Sequence, residues 1–279
     1  MILILPCSSG ECATRIHTLL EWLKIALEKS LPAPHNPPPK PMHNPGSLVL
    51  VPGLMCDDTV WRHQIVALGA GRDIQVASHA LSDSLGAMAE RILDLAPPRF
   101  ALAGHSMGGR VALEVLARAP QRVVRLALLD TGFEALATGE AGERERAGRL
   151  RLLAIARHDG MLVMARDWAR GMVHPARLTD TALMNSIHAM IARASVAQFE
   201  AQVRALLARP DRTRLLAGLR LPTLVLCGRD DSWSPLARHQ QMAGLIRGSA
   251  LVDVPDCGHM STMEMPAAVT AALDAWLAG

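Results

Sequence analysis

Phe100-Ala101-Leu102-Ala103-Gly104-His105-Ser106-Met107-Gly108-Gly109-Arg110-Val111-Ala112-Leu113 is the stretch on which the reading of this chain turns. Its first four residues form a short apolar run of the kind that makes a buried strand, and a helical pattern takes over from Arg110. Between them lies G-x-S-x-G, Gly104 to Gly108. A serine on so sharp a strand-to-helix turn projects its hydroxyl from the end of the sheet. The flanking glycines remove the Cβ atoms that would collide there. Ser106 is therefore the first candidate for chemistry, and the local order strand, serine, helix is that of an α/β fold.

Outward from this turn the pattern is regular. From Ser47 onward, short apolar runs alternate with amphipathic segments, the signature of βαβ units and a parallel sheet. Strands are expected at Leu48–Val51, Ile74–Ala77, Phe100–Ala103, Val124–Leu129, Thr223–Cys227 and Ala250–Val254. Helices are expected at about Thr59–Leu68, Leu85–Leu95, Met107–Arg118, Pro235–Ile246 and Pro266–Leu277. The alternation fails once, between Gly132 and Leu219, where Ala, Leu, Arg, Glu and Met segments are interrupted by Gly171, Pro175 and Pro210. The fold class expected is thus α/β: a mostly parallel sheet of about six strands flanked by helices, with an inserted helical cap. The core is assigned to residues 47–131 and 220–279 and the cap to 132–219. An insertion after the fourth strand emerges at the carboxyl edge of the sheet, where open α/β folds bind ligands. The arginines of this cap outnumber its acids, which suits an anionic substrate and equally suits a solvated helix face.

Residues 1–46 read differently. An amphipathic stretch, Ile16 to Leu27, precedes Pro32, Pro34, Pro37, Pro38, Pro39, Pro41 and Pro45, a density expected of an extended linker. The stretch reads as a loosely attached helix, or as sequence upstream of a start at Met42, ahead of a membrane-surface or partner-binding helix.

Composition narrows the function classes. Half of the 279 residues are hydrophobic, a fifth are charged and the formal net charge is +3, which fits a globular enzyme with one large core. The basic residues are spread along the chain rather than gathered into a tract interleaved with aromatics, so nucleic acid is not an expected partner. Five cysteines (Cys7, Cys12, Cys56, Cys227, Cys257) form no C-x-x-C pair, and neither a zinc site nor a disulfide framework is indicated. A cytoplasmic home, a small-molecule substrate, and no cofactor or metal are expected. Met1 to Leu5 is too short for a signal-peptide core, and no run approaches the 18 apolar residues of a membrane span. The oligomeric state is left open.

A serine hydroxyl needs a base, and the base needs an orienting acid. The strand-like run Thr223 to Cys227 ends in Gly228-Arg229-Asp230-Asp231-Ser232-Trp233-Ser234-Pro235. The last strand-like run is followed by Pro255-Asp256-Cys257-Gly258-His259. Asp230, Asp231 and His259 would thus all lie on the same rim as Ser106. Alone, Asp231 also reads as a turn or helix-capping residue, and His259 as a structural turn residue.

With these residues in hand, the chain from Ser47 to its end resembles the α/β-hydrolase superfamily, whose chain order is serine, acid, histidine. The family pattern G-x-x-D-x-x-x-P matches Gly228, Asp231 and Pro235, which favours Asp231 over Asp230. The family's G-H followed by an acid and a proline appears as Gly258-His259, Glu264 and Pro266. The resemblance further implies two main-chain oxyanion donors: Met107, after the nucleophile, and Leu54 in Pro52-Gly53-Leu54. His105 is expected as a packing neighbour rather than a second base. Met55, Met107, Met260, Met263 and Met265 suggest an apolar, adaptable pocket. The activity implied is hydrolysis of a small carboxylic ester through an acyl-enzyme. Thioester, carbon–carbon bond or perhydrolysis chemistry on the same three side chains stays open, as does a cleft that holds a ligand without turning it over.

Overall fold

The computed structural model describes residues 46–279; the Ile16–Leu27 stretch and the proline-rich run lie outside the described residues. A single six-stranded sheet forms from β1 (Leu48–Val51), β2 (Ile74–Val76), β3 (Phe100–His105), β4 (Val123–Leu129), β5 (Thr223–Gly228) and β6 (Ala250–Val254), in the order β2-β1-β3-β4-β5-β6. Every pairing is parallel. β1, β3 and β5 are buried at every position, as continuous apolar runs covered on both faces should be, whereas β6 at the sheet edge begins with two exposed residues.

The helices of the core are α1 (Arg62–Leu68), α2 (Leu85–Leu95) and α3 (Met107–Arg118). The segment after β4 contributes α4 (Gly139–Asp159), α5 (Met161–Ala169), α6 (Thr181–Ala192), α7 (Val196–Leu207) and α8 (Thr213–Gly218). The last are α9 (Leu236–Leu245), α10 (Ser261–Glu264) and α11 (Pro266–Ala278). Local chemistry sets their starts. Ser84 Oγ caps α2 through the Ala87 N–H at 3.1 Å, and Ser195 with Gln198 forms a capping box on α7. Pro266 occupies the first turn of α11, where its missing N–H is harmless.

The six-stranded α/β architecture agrees with the sequence reading, and two boundaries differ by more than one residue. The helix expected from Thr59 begins as a 3-10 turn, Asp58–Trp61, because Asp57 accepts the Thr59 N–H at 2.9 Å and tightens the first turn. β3 runs on through Gly104 and His105, which pair with Leu128 and Leu129. The turn at Ser106 is therefore reached directly from a paired strand.

The strand order places the site. The chain steps from β1 to β2 on one side and then to β3 on the other, so the connections that leave the carboxyl ends of the paired strands β1 and β3 run apart. Such a divergence opens a crevice in a parallel sheet. Ser106 follows β3, and Leu54 follows β1.

Candidate functional site

Ser106 sits between β3 and α3 at φ 54°, ψ −119°, a left-handed conformation that a serine adopts only when the surroundings hold it. Its N–H donates to Leu129 O at 2.8 Å, and its carbonyl accepts the Thr131 hydroxyl at 2.6 Å. Thr131 is held in turn, its N–H donating to His239 Nε2 at 3.0 Å. Burial keeps that imidazole neutral, pushed down to about 4, so Nε2 is free to accept. The turn also needs its glycines: a Cβ on Gly108 would stand 2.1 Å from Val51 O, and one on Gly104 would stand 2.4 Å from Gly108 O.

The structure brings Ser106, His259 and Asp231 together. Ser106 Oγ lies 2.8 Å from His259 Nε2, and His259 Nδ1 lies 2.7 Å from Asp231 Oδ2. Asp231 is 2% exposed and His259 is 4% exposed. Asp231 Oδ1 accepts the Trp233 and Ser234 N–H groups at 2.8 and 2.9 Å, which leaves Oδ2 for the imidazole. Burial alone would raise the Asp231 carboxyl, but the adjacent imidazole and these N–H donors outweigh it and hold the group below its ordinary value. The same pairing works in reverse on His259: burial pulls its proton affinity down, while the Asp231 charge and hydrogen bond lift it above the ordinary histidine value. Asp230 is exposed, and its Oδ2 lies 3.9 Å from His174 Nε2.

The loop carrying His259 is braced from below and from the side. Glu264, 1% exposed, accepts N–H groups from His174, Gly258 and Met260 at 2.7, 3.1 and 3.0 Å. Met172 O, between α5 and α6, accepts both the His259 and Met260 N–H groups at 2.7 and 3.2 Å. His105 is buried beneath, with Nε2 2.9 Å from His259 O, so it supports the loop as a packing neighbour and does not approach as a base. Burial drives its proton affinity to about 3. Asp130, at the end of β4, accepts Gly228 N–H at 2.9 Å, contacts the Ser261 hydroxyl, and is pushed up to about 8 by burial and by the Asp231 charge. It ties β4, β5 and α10 together under the site.

Leu54 and Met107 line the same cavity as Ser106. The Leu54 N–H has no hydrogen-bond acceptor among the described residues. Met107 is the first residue of α3, among the amides that an α-helix leaves without an internal acceptor. The amide after Leu54 is fixed instead by a residue that nothing in the sequence singles out: Gln202 of α7, 5% exposed, whose Oε1 accepts the Met55 N–H at 2.8 Å. Its only local signature is a polar side chain on the buried face of a helix.

The cavity above Ser106 has a volume of about 440 Å³ and two unlike walls. One is aromatic: Trp168 stacks on Trp233 at 5.3 Å and lies 6.1 Å from Phe199, and Trp233 tilts over His259 at 5.0 Å. The other is basic and includes Arg110, Arg149, Arg209 and Arg238. Met107 and Met260 line the cavity, whereas Met55, Met263 and Met265 do not. Met172 lines it as well, so the apolar lining combines three thioethers with the three aromatic rings. The arginines of the segment after β4 divide between cavity and solvent: Arg149 and Arg209 reach the cavity, and exposed Arg204 does not. Among the described residues no group of His, Cys, Asp or Glu could hold a metal ion, and no helix is long and apolar enough to cross a membrane.

A match to the model of the alpha/beta hydrolase family covers residues 48–273. The chain belongs to this family. It is 25% identical over 264 residues to a pimeloyl-acyl-carrier-protein methyl ester esterase of Nitrosomonas europaea, covering 83% of this chain and 96% of that one. Among solved structures it is similar to a thermophilic esterase from Thermogutta terrifontis with malate bound, at 28% identity and a TM-score of 0.73, covering 83% of this chain and 90% of that one. An enol-lactonase from Burkholderia xenovorans LB400 shares the fold, with a TM-score of 0.74 at 20% identity over 84% of this chain and 92% of that one.

Proposed function

We propose that the chain is a serine hydrolase acting on a small carboxylic ester. The contact of 2.8 Å between Ser106 Oγ and His259 Nε2, at the floor of a cavity, carries this reading. The esterase names of its relatives support it.

The Asp231 carboxylate keeps the proton of His259 on Nδ1, so Nε2 presents a lone pair to the hydroxyl. As Ser106 Oγ attacks the ester carbonyl, its proton passes to Nε2, and the Leu54 and Met107 N–H groups receive the oxyanion. Collapse of the tetrahedral adduct breaks the bond to the alkoxy oxygen, which leaves as the alcohol with the proton from Nε2. Water then gives its proton to Nε2 and attacks the acyl-serine, and the second collapse returns the proton to Ser106 and frees the acid. Helices α4 to α8 act as the cap, through Gln202 on the oxyanion loop and Met172 on the histidine loop. Cys56, Cys227 and Cys257 are free thiols, which fits the expected cytoplasmic location.

A fluorophosphonate probe and short p-nitrophenyl esters test the reading. Wild type is expected to be labelled once and to release nitrophenol, and Ser106→Ala to do neither. Equal labelling of the two proteins would overturn it.

A further inference from the structure

The basic wall of the cavity contains a guanidinium that is ion-paired with no carboxylate among the described residues. Arg110 stands one helical turn after Ser106 on α3, about 6 Å along the axis, and lines the same cavity. Its Nη1 donates to the Glu134 carbonyl at 2.8 Å, and among the described residues no carboxylate lies within ion-pair distance of it. The acid nearest this wall is engaged elsewhere. Glu145 accepts Arg209 Nη1 and Nη2 on its two oxygens, both at 2.7 Å, and Arg149 Nη2 at 2.8 Å. Arg238 donates to Trp233 O at 3.1 Å and reaches Glu134 Oε2 only at 3.8 Å. Gly132 keeps room for the Arg110 fork, since a Cβ there would lie 2.5 Å from Nη2.

We propose that Arg110, assisted by Arg238, binds a carboxylate carried by the ester substrate, so that the enzyme prefers monoesters of dicarboxylic acids over neutral esters. The inference rests on the hydrolase reading of Ser106 and names its substrate class. A guanidinium presents a planar fork of N–H donors suited to a carboxylate. Trp168, Phe199 and Trp233, which line the same cavity, suit the apolar chain that joins such a carboxylate to the reacting ester. Burial and the neighbouring guanidiniums of Arg209 and Arg238 press the Arg110 proton affinity down to about 9; it remains charged at neutral pH, and an incoming anion relieves the crowding.

Mono-p-nitrophenyl adipate and its methyl-capped, neutral counterpart provide the test, with Ser106→Ala giving the background release. Wild type is expected to favour the anionic ester in kcat/KM, the more so at low salt. Arg110→Gln should lower kcat/KM for the anionic ester by about 10- to 100-fold more than for the neutral ester, the range of a lost charge-assisted hydrogen bond, so that the preference collapses. Arg110→Lys should keep part of the preference, and Arg238→Gln should lose part of it if Arg110→Gln fails to fold. Adipate should raise the melting temperature of Ser106→Ala protein but not of the Ser106→Ala/Arg110→Gln double variant. Equal turnover of the two esters by wild type would overturn the carboxylate site while leaving the hydrolase reading intact. Stabilisation by inorganic phosphate but not by adipate would overturn the carboxylate assignment. Absence of fluorophosphonate labelling would refute the hydrolase reading, and adipate binding would then still decide whether Arg110 holds an anion.

Discussion

At the scale of single residues, the pairing of His259 with Asp231 dictates a pH dependence. Proton abstraction from Ser106 needs an empty Nε2, so kcat/KM must fall as pH drops through the His259 proton affinity. Burial lowers that affinity, but the Asp231 charge and hydrogen bond raise it past the ordinary value, which places the acid limb above about pH 6.5. In Asp231→Asn the raising charge is gone and burial is not. The acid limb should therefore move to lower pH, while kcat falls by roughly 10⁴-fold because the imidazole loses its enforced tautomer. A kcat/KM profile between acid and neutral pH reads both effects, and an acid limb that stays in place would contradict the assignment. Ser106, Asp231 and His259 were legible because each follows an apolar strand-like run whose end is marked by Gly, Pro or Asp, and because the family pattern separates Asp231 from Asp230. Thr131, His239 and Asp130 were not, because a single polar residue beyond an apolar run looks the same whether it caps a turn or holds a nucleophile's carbonyl.

At the scale of elements, the loop between β6 and α10 shows why position depends on close backbone approach. A Cβ on Gly258 would lie 2.6 Å from both His174 N and Val173 C, main-chain atoms that have no rotamer with which to yield. Gly258→Ala should push the His259 loop away from Met172 and Glu264, with little effect on the sheet beneath. A displacement near 1 Å at a reacting group costs about 100-fold in rate, so kcat for a p-nitrophenyl ester should drop by about that factor while far-ultraviolet circular dichroism is unchanged. Wild-type turnover by this variant would mean that the loop has slack that the packing does not suggest. Strands and core helices could be read from sequence because burial on two faces or one imposes a local period. The contacts of α7 and of the Met172 turn with the site could not. Gln202 meets Met55 across 147 residues of chain, and no periodicity encodes a partner that far away.

At the scale of the whole molecule, the segment between β4 and β5 is fastened to the core through charge as well as packing. Glu114, on α3 and 3% exposed, accepts Arg212 Nε and Nη2 at 2.6 and 2.7 Å, and Arg118 Nη1 at 2.6 Å. Arg212 immediately precedes α8, so this fork joins the helix that follows Ser106 to the return of the chain toward β5. Glu114→Gln keeps the shape but leaves Arg212 without its carboxylate and Arg118 with only the exposed Glu90, at 3.5 Å. Removing one partner of a buried pair costs about 3 kcal/mol, at the low end because Arg212 and Arg118 are only partly covered. For a chain of this size that lowers Tm by roughly 6–12 °C. Glu114 does not line the cavity, so kcat on a neutral ester at 25 °C should match wild type. Thermal unfolding followed by circular dichroism, alongside ester turnover, separates the two quantities. An unchanged Tm would mean that the Glu114 fork adds nothing measurable to the fastening of the helices after β4, and a fall in kcat without a fall in Tm would move Glu114 from the frame into the site.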